Sequence, residues 1–226
     1  MVEPVETIVI GPRLYRWPNS ARYGKAVPKT KFYEHGKVNT ALRERFVAEV
    51  QRITWAYKLA ENTINLPGSA AVPELQVFEI EAKGKDVSDV VLAAIDKAVK
   101  TPIIFELSRS GEVRLTAAHK ATARPGAYFT TPWLPAESER APLPPAINIP
   151  SLYSALLTPL VPVAAQAGED IAAIADRVEA ARKLEREIAV LERNLRNEPQ
   201  LNRKVELRRT LKTKKATLAG LMNTTR

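Results

Sequence analysis

The sequence predicts an α+β fold: a small mixed or antiparallel sheet with packed helices, followed by a C-terminal antiparallel helical hairpin, a coiled coil. The stretch 74–120 is typical of a strand, a helix and two further strands, and from Glu169 onward the apolar residues recur at heptad spacing. A chain of 226 residues is long enough for one sizeable core and such an appendage. We therefore expect a globular part over 1–160 and a basic helical hairpin over 165–226.

The central strand is predicted over 75–82, where apolar and charged residues alternate, so that one face should be buried and the other wet. After Ser88, apolar residues at helical spacing predict a helix that ends before Pro102. Two short runs, 103–107 and 113–117, flank a glycine turn and predict a β-hairpin.

A further helix is predicted over 40–59, capped by Asn39 or Thr40. Its apolar residues are spaced by four, four, three and four, which places them on one stripe: Leu42, Phe46, Val50, Ile53 and Tyr57.

Seven prolines between positions 121 and 150 exclude a regular helix or a central strand there. The same segment holds aromatic and aliphatic residues that a solvated tether would not need, so we expect an ordered wrap pinned by Trp133. A short helix over 151–157 should close the globular part.

The C-terminal hairpin is predicted from two apolar stripes. The first is a heptad seam made of Ile171, Ile174, Val178, Ala181, Leu184, Ile188, Leu191 and Leu195. A break at 197–200 precedes a second helix with a looser stripe, made of Leu201, Val205, Leu211, Leu218 and Met222. Because lone stripes would expose several leucines to water, we expect two antiparallel helices, and the seam also allows a homo-oligomer through the coiled coil.

The net charge of +9 favours an anionic partner, and nucleic acid is the leading candidate. The positive charge is most concentrated over 201–215, which contains a single glutamate and seven cations. The cations are Arg203, Lys204, Arg208, Arg209, Lys212, Lys214 and Lys215. A charge run is often only a solvated helix face. An excess of one sign is less usual for such a face, so contact with nucleic acid or with an acidic protein surface is an equal alternative to the solvated face.

A second basic stretch lies near the N-terminus. Arg13, Arg16, Lys29 and Lys31 are interleaved with tyrosine, tryptophan and phenylalanine, a composition that permits contact with single-stranded nucleic acid. The alternative is that the aromatic residues anchor a loop-rich segment to the core while the cations face water.

Common catalytic signatures are missing from the sequence. It contains no Walker-type glycine loop, no dinucleotide-binding fingerprint, no nucleophile elbow and no His-Glu-x-x-His. With no cysteine and two histidines, we expect no disulfide, no structural metal and no cofactor.

One constellation resembles a catalytic site. Glu81-Ala-Lys83, with Glu79 before it, matches the Glu-x-Lys half of restriction-endonuclease-like nucleases, in which a carboxylate binds Mg²⁺ and a lysine steadies the attacking water. Such nucleases carry an aspartate on the preceding strand that this chain lacks, although Glu61 or Glu74 could replace it. The simpler interpretation is an outward ladder on a one-sided sheet, so we expect no enzyme.

The chain should be cytoplasmic and should not enter a membrane. No apolar run approaches the roughly 20 residues that span a bilayer, and the acidic N-terminus is unlike a secretory signal.

Several short segments carry a resemblance to a known family: 28–33, 52–59, 62–67, 77–83, 94–98, 102–105, 152–153 and 202–207. They resemble the bacterial family known as domain of unknown function 4391. The resemblance implies a setting, because members are typically encoded beside a helicase and a type III-like DNA methyltransferase in phage-defence islands. It implies no catalytic residue.

Two functions are therefore expected from the sequence. The first is a non-catalytic accessory subunit of an anti-phage complex, which docks on the helicase and/or the DNA methyltransferase and contributes basic surface for nucleic acid. The alternative is a nuclease subunit that uses Glu79, Glu81 and Lys83 with Mg²⁺.

Overall fold

A computed structural model describes residues 13–36, 38–163 and 169–222. Their contacts divide the chain into two compact units, Met1–Leu160 and Val161–Arg226. The first unit holds a mixed sheet with helices and the second holds two packed helices, so the predicted α+β class is confirmed.

The strands of the first unit are β1 Leu14–Tyr15, β2 Arg22–Ala26, β3 Val50–Leu59, β4 Leu75–Ala82, β5 Ile103–Arg109, β6 Glu112–Ala117, β7 Phe129–Thr130, β8 Leu134–Pro135 and β9 Arg140–Ala141. Its helices are α1 Lys29–Gly36, α2 Thr40–Glu49, α3 Glu61–Ile64, α4 Asp89–Ala98 and α5 Ile149–Leu157.

The main sheet runs in the order β2, β3, β4, β5, β6 and β7, and β8 also pairs with β6. β4 and β5 are parallel and are joined through α4, the crossover that a parallel pair requires. The other neighbours in this sheet are antiparallel. A separate parallel pair, β1 with β9, joins the two ends of the unit's sequence.

The predicted helix over 40–59 is wrong in its second half. α2 ends where β3 begins, and β3 buries every third residue from Val50 to Leu59. Two register shifts, beside Arg52 and beside Tyr57, each interrupt the alternation of the strand. Because of these shifts, buried residues recur at every third position of β3 instead of every second one. In the sequence, this spacing resembles that of a helix.

The core lies between the sheet and the helices α1, α2 and α4. Phe46 of α2, Phe78 of β4, Ile95 of α4 and Phe105 of β5 belong to one buried cluster. Phe78 and Phe105 are paired positions of neighbouring strands, and Phe46 and Ile95 lie on the apolar stripes predicted for two helices.

The prediction of a one-sided sheet is wrong for most of β4. Leu75 and Val77, on the face opposite Phe78, are also fully buried. Segments around Trp17 and Arg140 lie against this face: Trp17 donates a hydrogen bond to Glu106 on β5 at 2.9 Å, and Arg140 donates to the same carboxylate. Only the end of β4, at the exposed Glu81, keeps a wet face.

In the proline-rich segment, for which the sequence predicts a wrap, Trp133 lies against two arginines of β5 and β6. The guanidinium carbons of Arg109 and Arg114 lie 4.0 Å and 4.7 Å from the centroid of the Trp133 ring. The segment then leads into α5, where Asn148 accepts a hydrogen bond from the Ser151 backbone at 2.8 Å.

The second unit consists of α6 Ile171–Asn197 and α7 Leu201–Met222. The helices are antiparallel, because Arg177 near the start of α6 donates to the Leu221 carbonyl at 2.9 Å, while Glu192 near its end pairs with Lys215 at 2.7 Å. The seam predicted for α6 is buried or half-buried throughout. Among the described residues, no helix is long and apolar enough to cross a membrane.

The stripe predicted for α7 is partly wrong. Leu201 and Val205 are 72% and 57% exposed, and Met222 is exposed as well. The half-buried apolar residues of α7 are instead Leu207, Leu211, Leu218 and Leu221. At the start of α7, the half-buried residue is therefore Leu207, two positions after the predicted Val205.

Candidate nucleic-acid interface

Three cations lie together on the exposed side of α7, and we call them the outer basic face: Arg208, Arg209 and Lys212. Lys212 follows the two arginines by four and three positions, so all three side chains are neighbours on one helix face. This face points away from the half-buried leucines of α7. It is an exposed cluster of like charge.

The outer basic face has no acidic partner among the described residues, where the ion pairs of α7 are made by Lys214 and Lys215. Like charges at these spacings destabilise a helix by about 0.2–0.5 kcal/mol per pair. An anion bound on this face would remove that repulsion, which is why the arrangement favours an anionic ligand.

Lys214 and Lys215 are paired across the hairpin. Lys214 Nζ lies 2.6 Å from Glu187, and Lys215 Nζ lies 2.7 Å from Glu192. Hydrogen bonds from these two lysines lower the pKa of both glutamates. Their charges are therefore compensated by α6, and they differ in this respect from the outer basic face.

The remaining predicted cations of α7, Arg203 and Lys204, lie near the turn of the hairpin. Arg203 is exposed and lines a cleft of about 520 Å³ together with Glu198 and Glu206. Lys204 is half-buried. The structure thus groups three of the seven predicted cations on an open surface and distributes the other four elsewhere.

The length of α7 suits an extended ligand. Its 22 residues correspond to about 33 Å at a rise of about 1.5 Å per residue, which is close to one turn of duplex DNA at about 34 Å.

In the N-terminal stretch, the structure favours the anchoring alternative for the aromatic residues. Tyr15, Trp17 and Phe32 are buried in the first unit and cannot stack on bases. Tyr23 is exposed at its edge, but its ring lies against Trp55 at 4.2 Å between centroids.

The two lysines predicted in this stretch have partners within the protein. Lys29 Nζ donates to the Val50 carbonyl at 2.5 Å, and burial together with the nearby Lys83 lowers the pKa of Lys29. Lys31 lies 3.7 Å from Glu34, one turn further along α1. Neither lysine belongs to an unpaired basic cluster.

Arg13 and Arg16 are exposed and are brought together with a residue that the sequence did not single out. Both line a cleft of about 430 Å³ with Arg140 of β9. The backbone N–H of Arg16 donates to the Ala141 carbonyl at 2.8 Å, which extends the pairing of β1 with β9.

The Glu-x-Lys residues lie at the wet end of β4, but their polar groups have other partners. Lys83 Nζ donates to the Val47 carbonyl at 2.7 Å. Glu81 lies 3.5 Å from Arg52 on the neighbouring strand. The lysine is therefore directed toward the backbone of α2 instead of toward a site shared with the glutamate.

Glu79 is separated from these two residues by its surroundings. It is half-buried beside Glu106 of the adjacent strand, and its pKa is raised, first by burial and then by the charge of Glu106. Arg140, Arg22 and Arg52 act in the opposite direction.

Sequence reasoning missed a glutamate that contacts the backbone of Lys83. Glu49 ends α2, and its carbonyl accepts the Lys83 N–H at 2.8 Å. Its carboxylate accepts the Ser88 N–H at 2.8 Å, just ahead of α4. Glu49 is thus used to cap α4, a role that no local pattern announces because the partner lies 39 positions away.

The substitutes considered for the missing aspartate do not reach the motif. Glu74 precedes β4 and pairs with Lys58 at 2.7 Å, whereas Glu81 is seven residues along the strand, about 23 Å away at about 3.3 Å per residue. Glu61 lies on α3, beyond the far end of β3. Among the described residues, no three histidine, aspartate or glutamate side chains are grouped so as to hold a metal ion.

Comparison with known proteins gives one match. The sequence matches the family described as Domain of unknown function (DUF4391) over residues 16–218. No curated protein and no solved structure matches the chain. Because the matched region includes most of both units, the chain belongs to the family Domain of unknown function (DUF4391).

Proposed function

We propose that this protein is a non-catalytic accessory subunit that binds the phosphates of duplex nucleic acid through the outer basic face of α7. The observation that carries the proposal is the grouping of Arg208, Arg209 and Lys212 on one exposed helix face without an acidic partner among the described residues.

Electrostatics supports phosphate binding on this face. Each cation that meets a phosphate releases a condensed counterion, and this term is independent of the base sequence. Arginine and lysine on a straight helix position a protein on the duplex, whereas base readout needs side chains fitted to a groove. The protein would therefore bind duplexes with little sequence preference.

The setting that the family resemblance implies supports a place in an anti-phage assembly in the cytoplasm. In this proposal the first unit docks on a helicase and/or a DNA methyltransferase, which would carry the chemistry. The hairpin would add affinity for the shared nucleic acid, since two linked contacts strengthen each other.

The test is a charge reversal with a matched control. The test variant carries Arg208→Glu, Arg209→Glu and Lys212→Glu. The control carries Lys183→Glu, Arg186→Glu and Arg193→Glu, which change the net charge equally on exposed positions of α6, where cations alternate with acids. Fluorescence anisotropy with a short labelled duplex measures affinity, and circular dichroism checks that both variants keep their helices.

We expect the test variant to lose affinity by roughly tenfold or more and the control to lose much less. Equal losses would show that only net charge matters, which contradicts a defined face. Unchanged duplex affinity, with release of a protein partner on copurification, would assign the face to docking and also contradict the proposal.

A further inference from the structure

Arg140 on β9, in the first unit, is held in place by the buried carboxylate of Glu106. Glu106 is 6% exposed and accepts hydrogen bonds from Arg140 Nη1 at 3.1 Å and Nη2 at 2.5 Å. Trp17 donates to the same carboxylate at 2.9 Å, and Arg140 Nη1 also donates to the Tyr15 carbonyl at 3.0 Å. The orientation of this guanidinium is therefore fixed.

The hydrogen bonds of Arg140 leave one edge unused. An arginine has five N–H donors in a planar arrangement. Glu106 takes the fork formed by Nη1 and Nη2, and the Tyr15 carbonyl takes the second proton of Nη1. The fork formed by Nε and the remaining Nη2 proton has no acceptor among the described residues. Such a fork matches two oxygens of one phosphate.

The cleft of about 430 Å³ beside Arg140 contains two further arginines. Arg13 and Arg16 line it from either end of β1, which pairs in parallel with β9. Both are exposed, and neither forms an ion pair with a described residue. Glu139 is the acidic residue in the lining and Glu106 compensates Arg140, so the positive charge of the cleft comes from Arg13 and Arg16.

We propose that this cleft binds a terminal phosphate group, that is, a dianionic phosphate monoester. The fixed fork of Arg140 would receive two phosphate oxygens, and the longer reach of Arg13 and Arg16 would cover the others. Two uncompensated arginines and the unused donor fork of Arg140 suit a dianion better than the single charge of an internal phosphodiester. The source is either the 5′ end of a nucleic-acid strand or a free nucleotide.

This site uses other residues than the outer basic face and lies in the other unit, so it goes beyond the proposed function. Its test is run on the full chain that already carries Arg208→Glu, Arg209→Glu and Lys212→Glu. Binding at the cleft is then measured without the contribution of α7, and failure of either proposal leaves the other standing.

The probes are one short single-stranded oligonucleotide with a 5′-phosphate and the same strand with a 5′-hydroxyl. We expect the phosphorylated strand to bind at least tenfold more tightly. Arg13→Ala combined with Arg16→Ala should abolish this difference. Lys97→Ala combined with Lys100→Ala, which removes two exposed cations elsewhere in the same unit, should preserve it.

Competition by AMP and by inorganic phosphate distinguishes the two sources. If AMP displaces the phosphorylated strand at comparable concentration, a free nucleotide suffices; if only the strand binds, its 5′ end is the ligand. Equal binding of the two strands, or an unchanged difference in the Arg13 and Arg16 double variant, would overturn the proposal. These exposed arginines are chosen because changing Arg140 would leave Glu106 buried without its counter-charge and endanger folding.

Discussion

The phenol of Tyr128 donates a 2.8 Å hydrogen bond to the carboxylate of Asp96, which lies 32 positions earlier in the chain. Lys120 Nζ donates to the other oxygen of Asp96 at 3.1 Å and to the Val99 carbonyl at 2.5 Å. Burial raises the pKa of Asp96, and burial together with that carboxylate raises the pKa of Tyr128 far above its usual range. This network fastens the end of α4 to the segment that follows β6.

Removal of the Tyr128 hydroxyl should therefore destabilise the first unit. In Tyr128→Phe, Asp96 loses an O–H donor inside the protein, and we expect a loss of about 1–3 kcal/mol in the free energy of unfolding. Urea unfolding measures this loss. Tyr23→Phe serves as the control, because Tyr23 is exposed, and it should change stability by less than about 0.5 kcal/mol. Equal effects of the two substitutions would contradict the role of the network.

The half-buried Glu79 should make stability depend on pH. A carboxyl whose pKa is raised by folding binds its proton more tightly in the folded state. The stability that this bound proton contributes is fully present below the pKa of the unfolded state, and it is lost as the pH rises through the pKa of the folded state. Glu79→Gln does not ionise and escapes this loss.

The stability of Glu79→Gln relative to the wild type should therefore rise between pH about 4 and pH about 7, by less than about 1 kcal/mol because the site is half-exposed. Urea unfolding of both proteins across this range measures the difference. A difference that stays constant with pH would show that the Glu79 carboxyl is not perturbed.

Glu81 and Lys83 should not support metal-dependent cleavage. Lys83 is directed to the Val47 carbonyl and Glu81 to Arg52, so we expect Glu81→Ala and Lys83→Ala to fold normally. We also expect the wild type to leave plasmid DNA intact in Mg²⁺ or Mn²⁺, as judged by conversion of supercoiled plasmid to nicked circles. Nicking that requires a divalent cation and disappears in both variants would establish the nuclease alternative.

The part of the fold that the sequence predicts well is the part with an uninterrupted period. α4, β6 and α6 each show one spacing over their whole length, and the structure confirms them together with β5, a short apolar run. β3 was missed because its two register shifts replace the period of two, so that a central strand imitates a helix. Its pairing with β2 and β4 makes this segment a strand, and the sequence of one segment does not show its pairing partners.

The second face of the sheet was missed for a related reason. It is covered by segments around Trp17 and Arg140, which lie 123 positions apart in the numbering and meet at Glu106. In the sequence, Glu106 is simply a charged residue inside an apolar run. Its buried hydrogen bonds depend on long-range contacts that no local pattern encodes.

In the candidate interface, the sequence predicts the number of cations on α7 but not which of them are compensated. That depends on the antiparallel register, which places Glu187 and Glu192 of α6 beside Lys214 and Lys215. The heptad seam predicts two packed helices, yet it does not fix which residues meet across them.

The boundary between the two units should be the first site of proteolysis. Proline and small residues concentrate over 159–168, of which 164–168 lie outside the described residues. We expect limited proteolysis to yield a stable fragment that ends near residue 160, as mass spectrometry would show. An earliest stable fragment that ends within 182–195 would mean that the hairpin does not persist as a unit of its own.

The salt dependence of duplex binding should separate the paired from the unpaired cations of α7. Each cation that contacts a phosphate contributes about 0.9 to the slope of log K against log salt. Arg208→Ala and Lys212→Ala should each flatten the slope by about that amount. Lys214→Ala removes the same charge, but Glu187 already compensates this lysine, so the slope should change by less than about half as much. Titrations between about 50 and 200 mM salt measure these slopes. If Lys214→Ala flattens the slope as much as the other two changes, the hairpin interacts through its summed charge, and the outer basic face is not the contact surface.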